Sequence, residues 1–172
     1  MRQCRIQKDG ARYHVSARVN NKEMLLESGK VKRLFEDVLC RAKTRFVFQL
    51  ENFVIMGNHY HLIIKPGKNE NLSRIMQWIM SVFAMSYNRL FNHCGHVWGS
   101  RFFSRVLESL EEYVKVFEYI DNNPVKASLV DLGEDWKFGG LHHRRAGLKY
   151  LVCEIPDFLK ILFCNHGQSS FT

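Results

Sequence analysis

Apolar and polar residues alternate at the start of the chain and then change period repeatedly. In "ARYHVSARVNN", Tyr13, Val15, Ala17 and Val19 fall on one side of an extended backbone, which predicts a strand, and Asn20–Asn21 predicts a turn. From Ser28 to Arg45 the apolar positions recur every three to four residues: Val31, Leu34, Phe35, Val38, Leu39 and Ala42. That is an amphipathic helix, whose outer face is assigned Lys30, Lys32, Arg33, Arg41 and Lys43. "RFVFQLENFVIMG" predicts one or two strands and "HYHLIIKPG" another, ended by Pro66 and Gly67.

Helical periodicity returns in "NLSRIMQWIMSVFAMSYNRLFNHCG", with Asn71 or Ser73 as its cap. "HVWGSRFFSRVLES" reads as strand or extended loop. "SLEEYVKVFEYIDNNP" is a second clear helix: Ser109 caps it, Glu111 and Glu112 suit its N-terminal dipole, and Pro124 stops it. "NPVKASLV" continues as a short helix or turn, "WKFGGLHHRRAG" as a loop, and "EIPDFLKILF" as a last short helix.

The short connection within "ENFVIMGNHYHLII" requires an antiparallel hairpin. The expected fold class is therefore α+β, an antiparallel β-sheet with helices packed mainly on one face, rather than a doubly wound parallel sheet. The length of 172 residues suits a single domain, residues 1–172, whose pattern weakens beyond about residue 133.

Charge adds a partner class. Lys and Arg outnumber Asp and Glu by 25 to 17, a formal net charge of +8, which favours a polyanion and nucleic acid first. The N-terminus has no apolar core of a signal peptide, and no window reaches about 18 uninterrupted apolar residues, so neither export nor a membrane partner is expected. Five cysteines, without a C-x-x-C pair, fit a reducing, cytoplasmic compartment.

Two constellations carry candidate chemistry. His59 and His61 stand two apart in a β-forming run, so they project from one face of a strand, roughly 6.5–7 Å apart along the backbone. Imidazoles placed this way can converge on one divalent cation; equally, they can be ordinary surface or core histidines, and two ligands do not fix a metal. On the second helix, Tyr113, Val116, Phe117 and Ile120 form the stripe to be buried, and Tyr119 lies off it on a flank with Lys115 and Asn123. Asp121 falls almost opposite Tyr119. A half-buried tyrosine with a polar tip is the plain alternative.

Four segments, in order, carry a resemblance that spans residue 5 to about 130. They are "RIQKDGARYHVSARVNNKEML", "FVIMGNHYHLIIKP", "NLSRIMQWIMSVFAMSYNRLFNHCGHVWGSRFFSRV" and "EYIDNNPVKASLV". Together they resemble the IS200-like single-tyrosine (Y1) transposases with the HUH motif, specifically the REP-associated tyrosine transposase branch. The resemblance implies a ferredoxin-like, RRM-like HUH fold. It places the metal ligands on His59, His61 and Asn123, with Tyr60 as an outward-facing spacer and Asp121 as an alternative third ligand. It places the nucleophile on Tyr119. The implied cofactor is Mg²⁺ or Mn²⁺. The implied partner is single-stranded or hairpin DNA, cut through a 5′-phosphotyrosine. Such a protein is bacterial, cytoplasmic and nucleoid-associated, and works as a monomer or homodimer. Residues from about 133 to 172 match weakly, as a C-terminal extension.

Basic and aromatic residues supply candidate DNA contacts: Arg89, Arg101, Arg105 and Trp98 around the third segment, Lys115 one turn before Tyr119, and Arg144 and Arg145 in "HHRRAGLK". Of Phe102 and Phe103, alternation predicts that at least one is buried. Two rival readings stay open: a hairpin-binding protein that has lost turnover, and a rolling-circle initiator or relaxase. The short chain, with no helicase segment, counts against the relaxase reading.

Overall fold

In the computed structural model, which describes Lys8 and residues 10–154, four antiparallel strands form one sheet in the order β2-β3-β1-β4. They are β1 (Arg12–Arg18), β2 (Phe48–Ile55), β3 (His59–Pro66) and β4 (Phe103–Leu107). The helices are α1 (Gly29–Arg45), α2 (Leu72–Phe91), α3 (Leu110–Asp121), α4 (Asn123–Lys126) and α5 (Gly140–Arg145). The expected α+β class and element order are those observed. The predicted helix in "EIPDFLKILF" falls outside the described residues apart from Glu154.

Each long helix starts where a side chain satisfies an orphan backbone N–H. Ser28 Oγ accepts from the amide of Val31, Asn71 Oδ1 from Arg74, and Ser109 Oγ from Glu112. At the other end of α2, Asn92 closes the helix in the left-handed conformation (φ 49°).

The sheet separates two cores. On one face Tyr13, Val15, Tyr60, Leu62 and Ile64 pack beneath α1 and α2 with Phe35, Ile79 and Phe83. On the other, Val54, Ile63 and Leu107 meet Tyr113, Val116, Phe117 and Ile120 of α3. The two longest helices thus share one face and α3 takes part of the opposite one. What α3 leaves uncovered there is the ground of the candidate site.

Several sequence expectations change. Tyr60 does point away from its neighbouring histidines but not outward: it is fully buried, with its ring 4.8 Å from Phe35 and 5.4 Å from Trp98. Lys32, assigned to the outer face of α1, is 3% exposed. Its aliphatic stem is covered and its ammonium stands over the rings of Trp136 and Phe138 while donating to the carbonyl of Glu27. Pro124 does not stop helical geometry, because it occupies the start of α4, where its missing N–H costs nothing. Residues 140–145, read as loop, form α5.

The Tyr60 hydroxyl finds no hydrogen-bond partner among the described residues. A buried hydroxyl left unpaired costs about 1–3 kcal/mol. Tyr60→Phe is therefore expected to raise stability by about 1 kcal/mol in urea unfolding, and a loss of stability would mean that the hydroxyl is paired after all.

Candidate active site

Strand register brings the site together. In the pairing of β1 with β3, Ser16 lies opposite His61 and Arg18 opposite His59. On β4, Arg105 lies opposite His14. His14, Ser16 and Arg18 therefore share a sheet face with His59, His61 and Ile63, the face that α3 crosses.

The rings of His59 and His61 are 5.2 Å apart and nearly perpendicular. Each has one nitrogen engaged. His59 Nδ1 is 2.8 Å from Asn58 Oδ1, and His61 Nδ1 is 2.9 Å from His14 Nε2. The His14 and His61 rings are within 25° of parallel with centroids 5.1 Å apart, and the short N···N separation shows that they meet edge to edge through a hydrogen bond. The Asn58 oxygen can only accept, which puts the Nδ1 proton on His59, while either ring can donate across the His14–His61 pair. Outer-shell bonds of this kind accompany metal-binding histidines.

Tyr119, 39% exposed, reaches this pair from α3 within the same chain. Its ring lies 5.3 Å from that of His61 and 6.4 Å from that of His14, edge-on to both. Lys126 Nζ stands 5.2 Å from the centre of the Tyr119 ring. Asn123 is 8% exposed and its side chain hydrogen-bonds to that of His59. His59, His61, Tyr119 and Asn123 are thus one cluster. Among the described residues no group of three or more His, Cys, Asp or Glu side chains converges to hold a metal, and the Asn123 amide is a further oxygen donor beside His59. Two imidazoles and an amide oxygen, with open positions, suit a borderline-hard divalent ion.

Asp121 is not available as an alternative ligand, because its carboxylate pairs with Arg144 and accepts from Asn52. Lys115 is turned toward Glu111, 2.5 Å away, and the cation beside Tyr119 is Lys126 instead. Arg144 is largely covered and its guanidinium is engaged in the same pairing rather than turned to solvent. The Trp98 indole donates to the carbonyl of Met80 and packs against Phe35, Tyr60 and Phe83, and the residue is half-buried in the wall of a groove beside α2. Arg89 and Arg101 are exposed. Arg105 pairs with Glu112 at the surface, and Arg145 with Glu134. Phe102 is buried and Phe103 is 57% exposed on the edge strand.

Burial and positive neighbours keep the imidazoles neutral. Burial lowers His61 to about 3, with His14, His59 and Arg18 adding to the effect, and it lowers His14 to about 4, with Arg105 adding. His59 is lowered by burial and then by Arg18, against the Asn123 hydrogen bond. Neutral imidazole is the form that binds metal. It also makes folding depend on pH. The unfolded chain takes up these protons near pH 6.5, whereas the folded chain refuses them down to about pH 4 for His14 and about pH 3 for His61. The contribution is complete above pH 6.5 and is lost as pH falls toward those values, by up to about 1.4 kcal/mol per pH unit and histidine. Thermal unfolding is expected to show the melting temperature falling from about pH 6.5 downward, with a shallower fall in His14→Ala. A flat profile to pH 5 would refute the neutral, buried pair.

The sequence of residues 7–123 matches the family described as IS200-like transposase, more than half of the chain. No curated protein matches. Among solved structures, the chain is similar to a REP-associated tyrosine transposase bound to a REP hairpin, with TM-score 0.73, 20% identity, and 91% of this chain and 94% of that one covered. It is also similar to a putative transposase from Deinococcus radiodurans R1, with TM-score 0.52, 17% identity, and 71% and 97% covered. At these identities the two structures speak for the fold. The match over residues 7–123 takes in the histidine strand, the tyrosine helix and Asn123, and the chain belongs to the IS200-like transposase family.

Proposed function

We propose that this chain cleaves and rejoins single-stranded DNA at hairpins, with Tyr119 as nucleophile. The observation that carries the reading is the exposed Tyr119 ring 5.3 Å from His61 of its own chain. The hairpin-bound relative supports the choice of substrate.

His59, His61 and Asn123 would hold Mg²⁺ or Mn²⁺. When bound, such an ion draws charge from a non-bridging phosphate oxygen and favours the pentacovalent transition state. The Tyr119 oxygen attacks phosphorus in line; the Oη–P bond forms, the P–O3′ bond breaks, and the 3′-oxygen takes up a proton from solvent. A phenol is a poor nucleophile until its own proton leaves, here to solvent water. Lys126 places a positive charge beside the ring where negative charge develops. The 5′-phosphotyrosine keeps the energy of the ester, so attack by another 3′-hydroxyl reseals the strand without ATP. His14 and Asn58 hold the two imidazoles in orientation.

Arg18, Arg101 and Arg105 offer charge for the flanking phosphates, and Phe103 an exposed face for an unpaired base. Arg89 and Arg145 lie on the surface as further phosphate contacts. A groove of about 700 Å³ between α2 and residues 95–102, with Gln77 and Arg101 in its wall, continues this surface. No described helix is long and apolar enough to cross a membrane.

The test is a labelled single-stranded hairpin incubated with the protein and Mn²⁺, resolved under denaturing conditions. An adduct whose cross-linked peptide contains Tyr119 is expected. Tight hairpin binding without any adduct would instead support a DNA-binding protein without turnover, a reading consistent with an amide as third donor.

A further inference from the structure

The tyrosine helix is held at its C-terminal end by a buried polar fork that lies partly beyond the family-matched residues. Asn52, completely buried, sits where β2 bulges: Leu50 pairs with Ile64 and Asn52 with Ile63, leaving Glu51 as the extra residue. Its Nδ2 donates to the Phe117 carbonyl (3.2 Å) and to Asp121 Oδ1 (2.8 Å). From α5, Arg144 Nη2 lies 3.2 Å from both carboxylate oxygens of Asp121, and Nη1 donates to Asn52 Oδ1 (3.2 Å) and the Glu51 carbonyl (3.3 Å). The guanidinium also covers the Phe117 ring at 4.7 Å. α5 gets this close because residue 140 is glycine: a Cβ there would fall 2.2 Å from Asn52 Oδ1 and 2.9 Å from Arg144 Nη1.

Phe117 and Asp121 are the residues two before and two after Tyr119. The apolar contacts of α3 are non-directional and allow the helix to roll or slide. The fork does not, because a guanidinium held by Asp121 through Nη2 and by Asn52 and Glu51 through Nη1, together with an amide hydrogen bond to a helix carbonyl, fixes angle as well as distance. We infer that Arg144, with Asn52 and Asp121, is a positioning device: α5 clasps α3 so that Tyr119 stays over the histidines of its own chain and the protein reacts in cis. The inference rests on Tyr119 being the nucleophile and gives the segment after residue 133 a role in the reaction.

A buried ion pair usually adds little net stability over apolar residues of the same size. The double variant Asp121→Leu/Arg144→Met is therefore expected to fold, and it removes the fork without orphaning a charge. Its hairpin Kd should stay within about twofold of wild type, while the single-turnover rate of adduct formation falls roughly 10–100-fold. Gly140→Ala, which lies outside the ion pair, should show the same split. Mixing Tyr119→Phe chains with His61→Ala chains should give no adduct. A folded double variant that reacts at the wild-type rate, or efficient adduct formation in the mixture, would overturn the clasp. If Tyr119→Phe alone still forms adduct, the nucleophile assignment itself fails and takes the clasp with it. If Tyr119→Phe is dead and the double variant is fully active, the clasp alone is wrong.

Discussion

Tyr119→Phe is expected to reduce covalent adduct formation by about a thousandfold or more, to the detection limit, while hairpin affinity changes less than about twofold. The substitution removes only the attacking oxygen. The ring remains available to His61, His14 and Lys126, and the buried stripe of α3 (Tyr113, Val116, Phe117, Ile120) is untouched. Because residue 119 is 39% exposed, stability should move by no more than about 0.5 kcal/mol. A denaturing gel with radiolabelled hairpin reads the adduct and a binding titration reads affinity. An undiminished adduct would shift the nucleophile elsewhere. A parallel fall in affinity would make the phenol a DNA contact instead.

This sharp separation depends on where the chain places Tyr119, and much of that placement was legible in the alternation of residues. The histidine pair shares a face because a strand repeats every two residues, and Tyr119 leaves the apolar stripe of α3 because a helix repeats every 3.6. His14 was missed for an instructive reason. It occupies a polar position of β1, with Ser16 and Arg18, on the side opposite Tyr13 and Val15, and such positions usually face water. The signal was present: once β1 is paired antiparallel to the histidine strand, those same positions fall beside His59 and His61. Only the pairing partner and its register were missing, and neither is written locally.

Long-range closure explains the other differences. Tyr60 is buried because α1 and α2 cover the far face of the sheet, so the spacer of the histidine pair becomes a core anchor. Lys32 is buried because Trp136 and Phe138, a hundred residues later, fold over its stem. α5 begins at a pair of glycines and spans six residues with no apolar period, so nothing local favours a helix there. Its geometry is imposed by Arg144 reaching Asp121 and by His143, 2% exposed, reaching Glu36 at 3.0 Å. In "HHRRAG" the basic residues read as a DNA-facing loop because sequence does not reveal that His143 and Arg144 have partners inside the protein.

His61→Ala is expected to have the second large effect, and comparison with His14→Ala gives it meaning. If His61 Nε2 is a ligand, its loss should weaken Mn²⁺ binding by more than about a hundredfold and remove the adduct, since two donors do not retain the ion. His14 contacts His61 Nδ1 and, on this geometry, orients the ring without binding the ion itself. His14→Ala should therefore cost about 10–100-fold in Mn²⁺ affinity, the range typical of an outer-shell partner. Electron paramagnetic resonance titration of free Mn²⁺ measures both without reference to catalysis. Equal losses in the two variants would make His14 a direct ligand and displace Asn123 from that role. Unchanged Mn²⁺ affinity in His61→Ala would end the metal-site reading altogether, leaving the neutral pair as a packed surface beneath the tyrosine. The pH profile supplies a cross-check that needs no metal, because His61→Ala removes the most strongly suppressed imidazole. The variant should show a shallower fall in melting temperature below pH 6.5, by one histidine's share, even if its affinity for DNA is intact.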